Sequence, residues 1–210
     1  MQIPRFTMRA PDAVIRLDGE ILPGAGAALS KALGDLTGRP VALVINSPGG
    51  VATEGAAMAA EIERHGKVNA YGQGIVASAA TLPFTAAHRK VLHAQCVFMI
   101  HDPAALAFGP AQDMRKRADD LDTIAWTYAA HYARVSGQTV ATVRDWMIAE
   151  TWLTPDEALA LRFCDGIEHD LDPAPVARAD YTAFRHAPAA LVRMTAANGW
   201  ATASPDNHED

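Results

Sequence analysis

The run PVALVIN, residues 40–46, constrains this chain more than any other feature. From Pro40 to Ile45 every side chain is apolar, and none of the usual alternation of a half-exposed strand is present. Successive side chains of a strand point to opposite faces, so a strand of this composition is covered on both sides. Its surroundings supply the cover. AVIRLDGEI (13–21) alternates apolar and polar residues like a half-exposed strand, and TEGAAMAAEIERH, from Thr53 to His65, is helical in composition. VNAYGQG (68–74) reads as a third strand, SAATLPFTAA (78–87) as a buried helix of small residues, and RKVLHA (89–94) and CVFMIHD (96–102) as two more strands. Strands and helices alternating in this way predict a layered α/β domain.

A long helix follows. Met114, Ala118, Leu121, Ala125, Tyr128 and Tyr132 recur at steps of three and four between Pro110 and Ser136. Pro110 suits a first turn and Gly137 a C-terminal stop. At 3.6 residues per turn this is about seven turns, long enough to reach past its own core and pack on something else. A second helix runs from about Thr139 to Ala149, and in ETWLTPDEALALRFCDGI (150–167) Thr154 can cap a short helix with Glu157 at the capping-box position. After Pro173 the chain turns Ala-, Pro- and polar-rich and loses periodicity, and the stretch ASPDNHED is expected to be a disordered tail. The organisation expected is a leader (1–12), one domain (13–172) and a partly disordered C-terminal extension (173–210), with no internal repeat.

Composition excludes several classes of function. With 24 acidic against 18 basic side chains the formal net charge is −6, which argues against a nucleic-acid groove. The densest basic run, Arg115-Lys116-Arg117, is followed by Asp119 and Asp120 and reads as a solvated helix face. Cys96 and Cys164 form neither a disulfide framework nor a CxxC pair, and are expected as buried thiols in a reducing cytoplasm. No uninterrupted apolar stretch approaches roughly eighteen residues, and MQIPRFTMRAPD lacks a signal-peptide core, so a soluble cytoplasmic protein without membrane attachment is expected. There is no HExxH or histidine cluster for a metal, and no GxGxxG or P-loop for a nucleotide. No cofactor is expected, and any ATP dependence would come from another chain.

Three places can do chemistry. Asn46-Ser47-Pro48-Gly49-Gly50 follows the buried strand; its glycines permit a turn whose backbone N–H groups hold an anion, although a plain strand-ending turn has the same composition. Ser78 stands where a strand gives way to a helix, so free N–H groups and the helix dipole can stabilise an oxyanion beside it. The arrangement is like a nucleophile elbow without GxSxG; the local alternative is a small residue selected for close packing. In Met99-Ile100-His101-Asp102-Pro103 a strand delivers a histidine at its exposed end, and Pro103 stops simple continuation. Histidine is the usual base for a serine, though a strand-end histidine is often structural. Asp102 cannot easily orient His101, because neighbouring strand residues face opposite ways.

In this order, INSPGG, a helix, the serine in VASA, MIHDP and ETWLTPDEALALRFCDGI resemble the Clp protease proteolytic subunit family of serine peptidases over roughly Ala13 to Ile167. The ETWLT wording is similar to the phage and prophage branch that processes capsid or scaffold proteins during head maturation. The resemblance implies a coiled βα core of the ClpP/crotonase type, with the long helix as a protruding handle by which rings stack. It implies Ser78 as nucleophile, His101 as general base and Glu150 as the acid, where better-known members have Asp; Asp145 is the fallback. The oxyanion donors would be the backbone N–H groups of Gly50, or Gly49, and of Ala79. The partners implied are a polypeptide substrate and further copies of the chain in a ring. The twelve or so residues before the first strand leave little room for loops that engage an ATPase unfoldase. Two other readings fit parts of the pattern: a crotonase-like acyl-CoA enzyme, which needs the oxyanion donors without the serine–histidine pair, and a ring-forming scaffold that has lost activity.

Overall fold

The computed structural model describes residues 13–169 and 174–201. The leader and ASPDNHED fall outside the described residues. The expected both-faces-buried strand is β2 (Val41–Ser47), in which only Val44 is not fully buried. It lies between β1 (Ala13–Asp18), which alternates half-buried and exposed residues, and β3 (Val68–Ala77). The sheet continues through β4 (Arg89–His93) to β7 (Gly166–Glu168), all in parallel.

β3 runs three residues past the stretch assigned to it from sequence, and in doing so it changes neighbour. Asn69–Gly72 pair with β4, whereas Ile75–Ala77 pair with β5 (Val97–Ile100). Between the two sits Gly74, at φ +62, where a Cβ would lie 2.6 Å from Asn46 Oδ1. Only glycine tolerates both the left-handed backbone and that approach. β6 (Thr151–Leu153) then adds to β5 in antiparallel sense. The sheet therefore turns out of its first plane at Gly74 into a second limb made of the end of β3, β5 and β6.

Helices cover the sheet. α2 (Ala52–His65) buries Met58 and Ile62, and α1 (Ala25–Gly34) buries Leu29 and Leu33. α1 has no sequence signal at its start because its cap comes from another element: the Glu54 carboxylate accepts the Gly24 and Gly26 N–H groups at 2.9 and 2.8 Å. SAATLPFTAA forms a 3-10 turn over Ser78–Ala80 followed by α3 (Thr81–Ala86), six residues long. The long helix α4 (Ala111–Ser136) has the expected length of 26 residues; its first ten are exposed, and only its second half is held by buried residues such as Tyr128 and Tyr132. α5 (Val140–Ile148) and α6 (Pro155–Ala160) follow, the latter with the predicted Thr154–Glu157 capping box.

The C-terminal extension differs most from expectation. Its lack of periodicity predicted no element, yet it contains a 3-10 turn (Tyr181–Ala183) and α7 (Ala189–Asn198), closed by Gly199 in a left-handed cap. Tyr181, Leu191 and Ala177 pack on Ile75, Ala77 and Met99, forming a second core against β3 and β5. The short elements bury few side chains each, so no helical stripe appears in the sequence; the packing depends on partners about a hundred residues away.

Candidate active site

Strand register brings three side chains to one end of the second limb. Ala77 of β3 pairs with Met99 of β5, so Ser78 and His101 emerge just past the last pair. Ile100 pairs with Thr151 of the antiparallel β6, so Glu150, one residue before Thr151, arrives from the other side. Ser78 Oγ lies 2.8 Å from His101 Nε2. Asp145, the fallback acid, is exposed on α5, and the negative charges acting on His101 are those of Glu150 and Asp102.

Ser78 is held in the left-handed region at φ +53, a costly conformation for a non-glycine residue. Thr81 Oγ1 donates to the Ser78 carbonyl at 2.6 Å and is itself 2.6 Å from Tyr132 Oη on α4, tying the turn to the long helix. The SPGG turn closes directly on it. A Cβ on Gly49 would lie 2.6 Å from Ser78 Cβ and 3.0 Å from Ala79 N, so no side chain fits there. The Gly49 N–H donates to Ser47 Oγ at 3.2 Å, which removes it as an oxyanion donor. The Gly49 carbonyl and the Val51 N–H pair with Ile21, which leaves the intervening Gly50 N–H pointing to the opposite side. Gly50 and Ala79 both line the cleft with Ser78 and His101. α3 is short, so the helix dipole expected behind Ser78 is supplied by few peptide units.

His101 and Glu150 are tuned in complementary directions. Burial pushes the His101 pKa below its usual 6.5, opposed by the nearby charges of Glu150 and Asp102. Asp102 is engaged elsewhere, in a two-pronged ion pair with Arg144, whose guanidinium lies 5.6 Å from the Trp126 ring centroid. Glu150 is buried, which alone would raise its pKa, but the His186 N–H, the Trp152 indole and the Arg185 N–H bind the carboxylate and hold it below the ordinary range, with help from His101. Trp152 Nε1 and His186 N donate to Oε1 at 3.0 and 2.6 Å, and Arg185 N donates to Oε2 at 2.9 Å. Among the described residues no hydrogen bond joins Glu150 to His101; the two are coupled through their charges.

The cleft above Ser78 has a volume of about 660 Å³. α4 supplies Leu121, Ile124 and Tyr128 to its wall, and the extension supplies Arg178, Asp180 and Phe184. The sequence offered one signal for these supporting residues: Trp152, which carries an indole donor, stands two residues after Glu150. Phe184 and the two backbone donors gave none. Cys96 and Cys164 are free and buried, and burial pushes the Cys164 thiol up to about 12. No group of metal-binding side chains occurs among the described residues, and none of their helices is long and apolar enough to cross a membrane.

A serine and a histidine thus stand hydrogen-bonded at adjacent strand ends of a branched, mostly parallel α/β sheet, the pairing that serine hydrolases use. The chain belongs to the Clp protease family, whose model matches residues 27–170. It is 28% identical over 143 residues to the ATP-dependent Clp protease proteolytic subunit 2 of Gluconobacter oxydans, a match covering 66% of this chain and 64% of that relative. It is 30% identical over 132 residues to the subunit 2 of Thermobifida fusca, covering 61% and 65%. The match thus spans a little under two thirds of each relative's length. Among solved structures, a ClpP1 mutant from Listeria monocytogenes superposes with a TM-score of 0.67 at 23% identity, over 75% of this chain and 91% of that one. That likeness establishes the shared α/β fold.

Proposed function

We propose that this chain is a serine endopeptidase acting on unfolded polypeptide. The observation that carries the reading is the 2.8 Å hydrogen bond between Ser78 Oγ and His101 Nε2 at the floor of an open cleft. His101, neutral near pH 7, takes the Ser78 proton as Oγ attacks a peptide carbonyl. The Gly50 and Ala79 N–H groups receive the oxyanion, and the charge of Glu150 stabilises the imidazolium. Collapse of the tetrahedral intermediate passes the proton from His101 to the leaving amine, and water then resolves the acyl-enzyme by the same route. An extended substrate can lie beside the SPGG turn as an added strand, which selects unfolded segments. The site asks for no cofactor.

The finer version of the proposal follows the ETWLT wording: processing of capsid or scaffold proteins in phage head maturation by a ring of identical subunits. Co-expression with the neighbouring capsid or scaffold protein, read by intact-mass spectrometry, tests it. Processing that occurs with the wild type and not with Ser78→Ala supports it; identical unprocessed masses in both contradict it. One observation favours a second reading, the inactive scaffold: the Glu150 carboxylate accepts its hydrogen bonds from Trp152, Arg185 and His186 rather than from His101. Hydrolysis of an unstructured protein such as casein separates the two, since a scaffold leaves it intact.

A further inference from the structure

We infer that the C-terminal extension completes the site in cis, aiming the Glu150 carboxylate and covering the His101 ring, so that its residues 184–186 are positioning residues of the reaction. The inference rests on the peptidase reading above and adds to it a part that the family match, which ends at residue 170, does not contain.

A glutamate side chain has one more rotatable bond than an aspartate, so it needs a firmer hold to keep one orientation. Here the hold comes mainly from the extension. His186 N and Arg185 N take one carboxylate oxygen each, and Trp152 adds the indole N–H to Oε1. Oε1 therefore carries two donors and Oε2 one, which leaves Oε2 the freer acceptor for a proton held by His101. The backbone at Glu150 is left-handed, at φ +51, and persists only where its surroundings over-determine it. The His186 side chain adds to them, its Nδ1 lying 2.9 Å from the Ala149 carbonyl oxygen.

The same segment reaches the base. The Phe184 ring centroid lies 5.6 Å from that of His101, with Trp152 edge-on behind it at 5.6 Å and Tyr181 stacked at 6.2 Å. The charges facing His101 are Glu150 and Asp102, the latter paired with Arg144; Arg178 and Asp180 of the extension line the cleft beyond it. The extension is anchored to the catalytic limb itself. The Asn46 amide, four residues before Gly50, donates to the Pro175 carbonyl at 2.8 Å and accepts from Ala177 N at 3.1 Å and Ile75 N at 3.2 Å. Tyr181, fully buried, donates its hydroxyl to the Ala177 carbonyl at 2.5 Å. The clamp thus spans the SPGG strand, the Ser78 strand and the acid, and a displaced extension would disturb all three.

Three full-length variants test this. His186→Pro removes one donor, Trp152→Phe removes the indole N–H and keeps a ring, and Phe184→Leu keeps apolar bulk and removes the ring over His101. With a fluorogenic peptide, His186→Pro and Trp152→Phe are expected to lower kcat roughly ten- to hundredfold, with KM changed less than about twofold. By NMR, the Glu150 titration midpoint should rise in both, and the His101 midpoint should rise in Phe184→Leu as its cover is lost. Should His186→Pro fail to fold, Phe184→Leu, a change within the extension itself, carries the test. Folded variants with wild-type kcat and unchanged midpoints would overturn the inference. The NMR titrations need no turnover, so an inactive wild type would sink the peptidase reading while the hold of the extension on Glu150 and His101 was still measured.

Discussion

Two residues of the site, Ser78 and Glu150, sit in the left-handed region at φ +53 and +51, each at a cost of about 1–3 kcal/mol. What offsets the cost is local and specific: Thr81 Oγ1 on the Ser78 carbonyl, and Met147 O with three carboxylate donors around Glu150. Between them His101 is kept neutral by burial, against the pull of Glu150 and Asp102. The sign of the pH dependence follows. In the proposed mechanism the base is the neutral imidazole of His101, whose pKa is lowered from the usual 6.5, so activity should persist on acidification until the pH falls through that lowered value. A profile of kcat/KM against pH should show its acid limb below 6.5; a midpoint above about 7 would contradict the assignment of His101 as a buried base.

At the scale of elements, the site is a consequence of register. β3, β5 and β6 meet so that the residues just past Ala77 and Ile100 and the one just before Thr151 converge, and the turn at Gly74 frees the end of β3 to pair with β5. Much of this was legible in sequence: PVALVIN announced a strand buried on both faces, SPGG and MIHDP marked strand ends, and Thr154 with Glu157 marked a cap. Ser78, His101 and Glu150 could be named because their motifs occur in a recognisable order. α1 and the extension were not legible, for a shared physical reason. The cap of α1 is the distant Glu54, and the extension acts on Glu150 through backbone N–H groups, which every sequence has. Its large fully packed anchors, Tyr181 and Leu191, are too sparse to form a stripe. Since Tyr181 is the largest of them and fully buried, Tyr181→Ala should cost about 3–5 kcal/mol in denaturant unfolding. Amide exchange should then speed up across residues 174–201; unchanged stability and exchange would show the extension to be independently held.

At the scale of the whole molecule, α4 projects with its first ten residues exposed, and ahead of it Leu106 and Phe108 lie bare. Isolated exposed apolar residues are common, but two fully exposed ones beside a projecting helix suit a surface that another copy covers. Light scattering should find a wild-type oligomer that Leu106→Asp with Phe108→Asp disperses; a monomeric wild type, or an oligomer indifferent to both changes, would contradict the ring. The central claim lies deeper in the molecule, in the serine and histidine at the floor of the cleft. Its most direct test is reaction with a fluorophosphonate at neutral pH, with the modified peptide located by mass spectrometry. The expected result is a single adduct on Ser78, absent from Ser78→Ala and formed at least about a hundredfold more slowly in His101→Ala. A wild-type protein that acquires no adduct at Ser78 would contradict it.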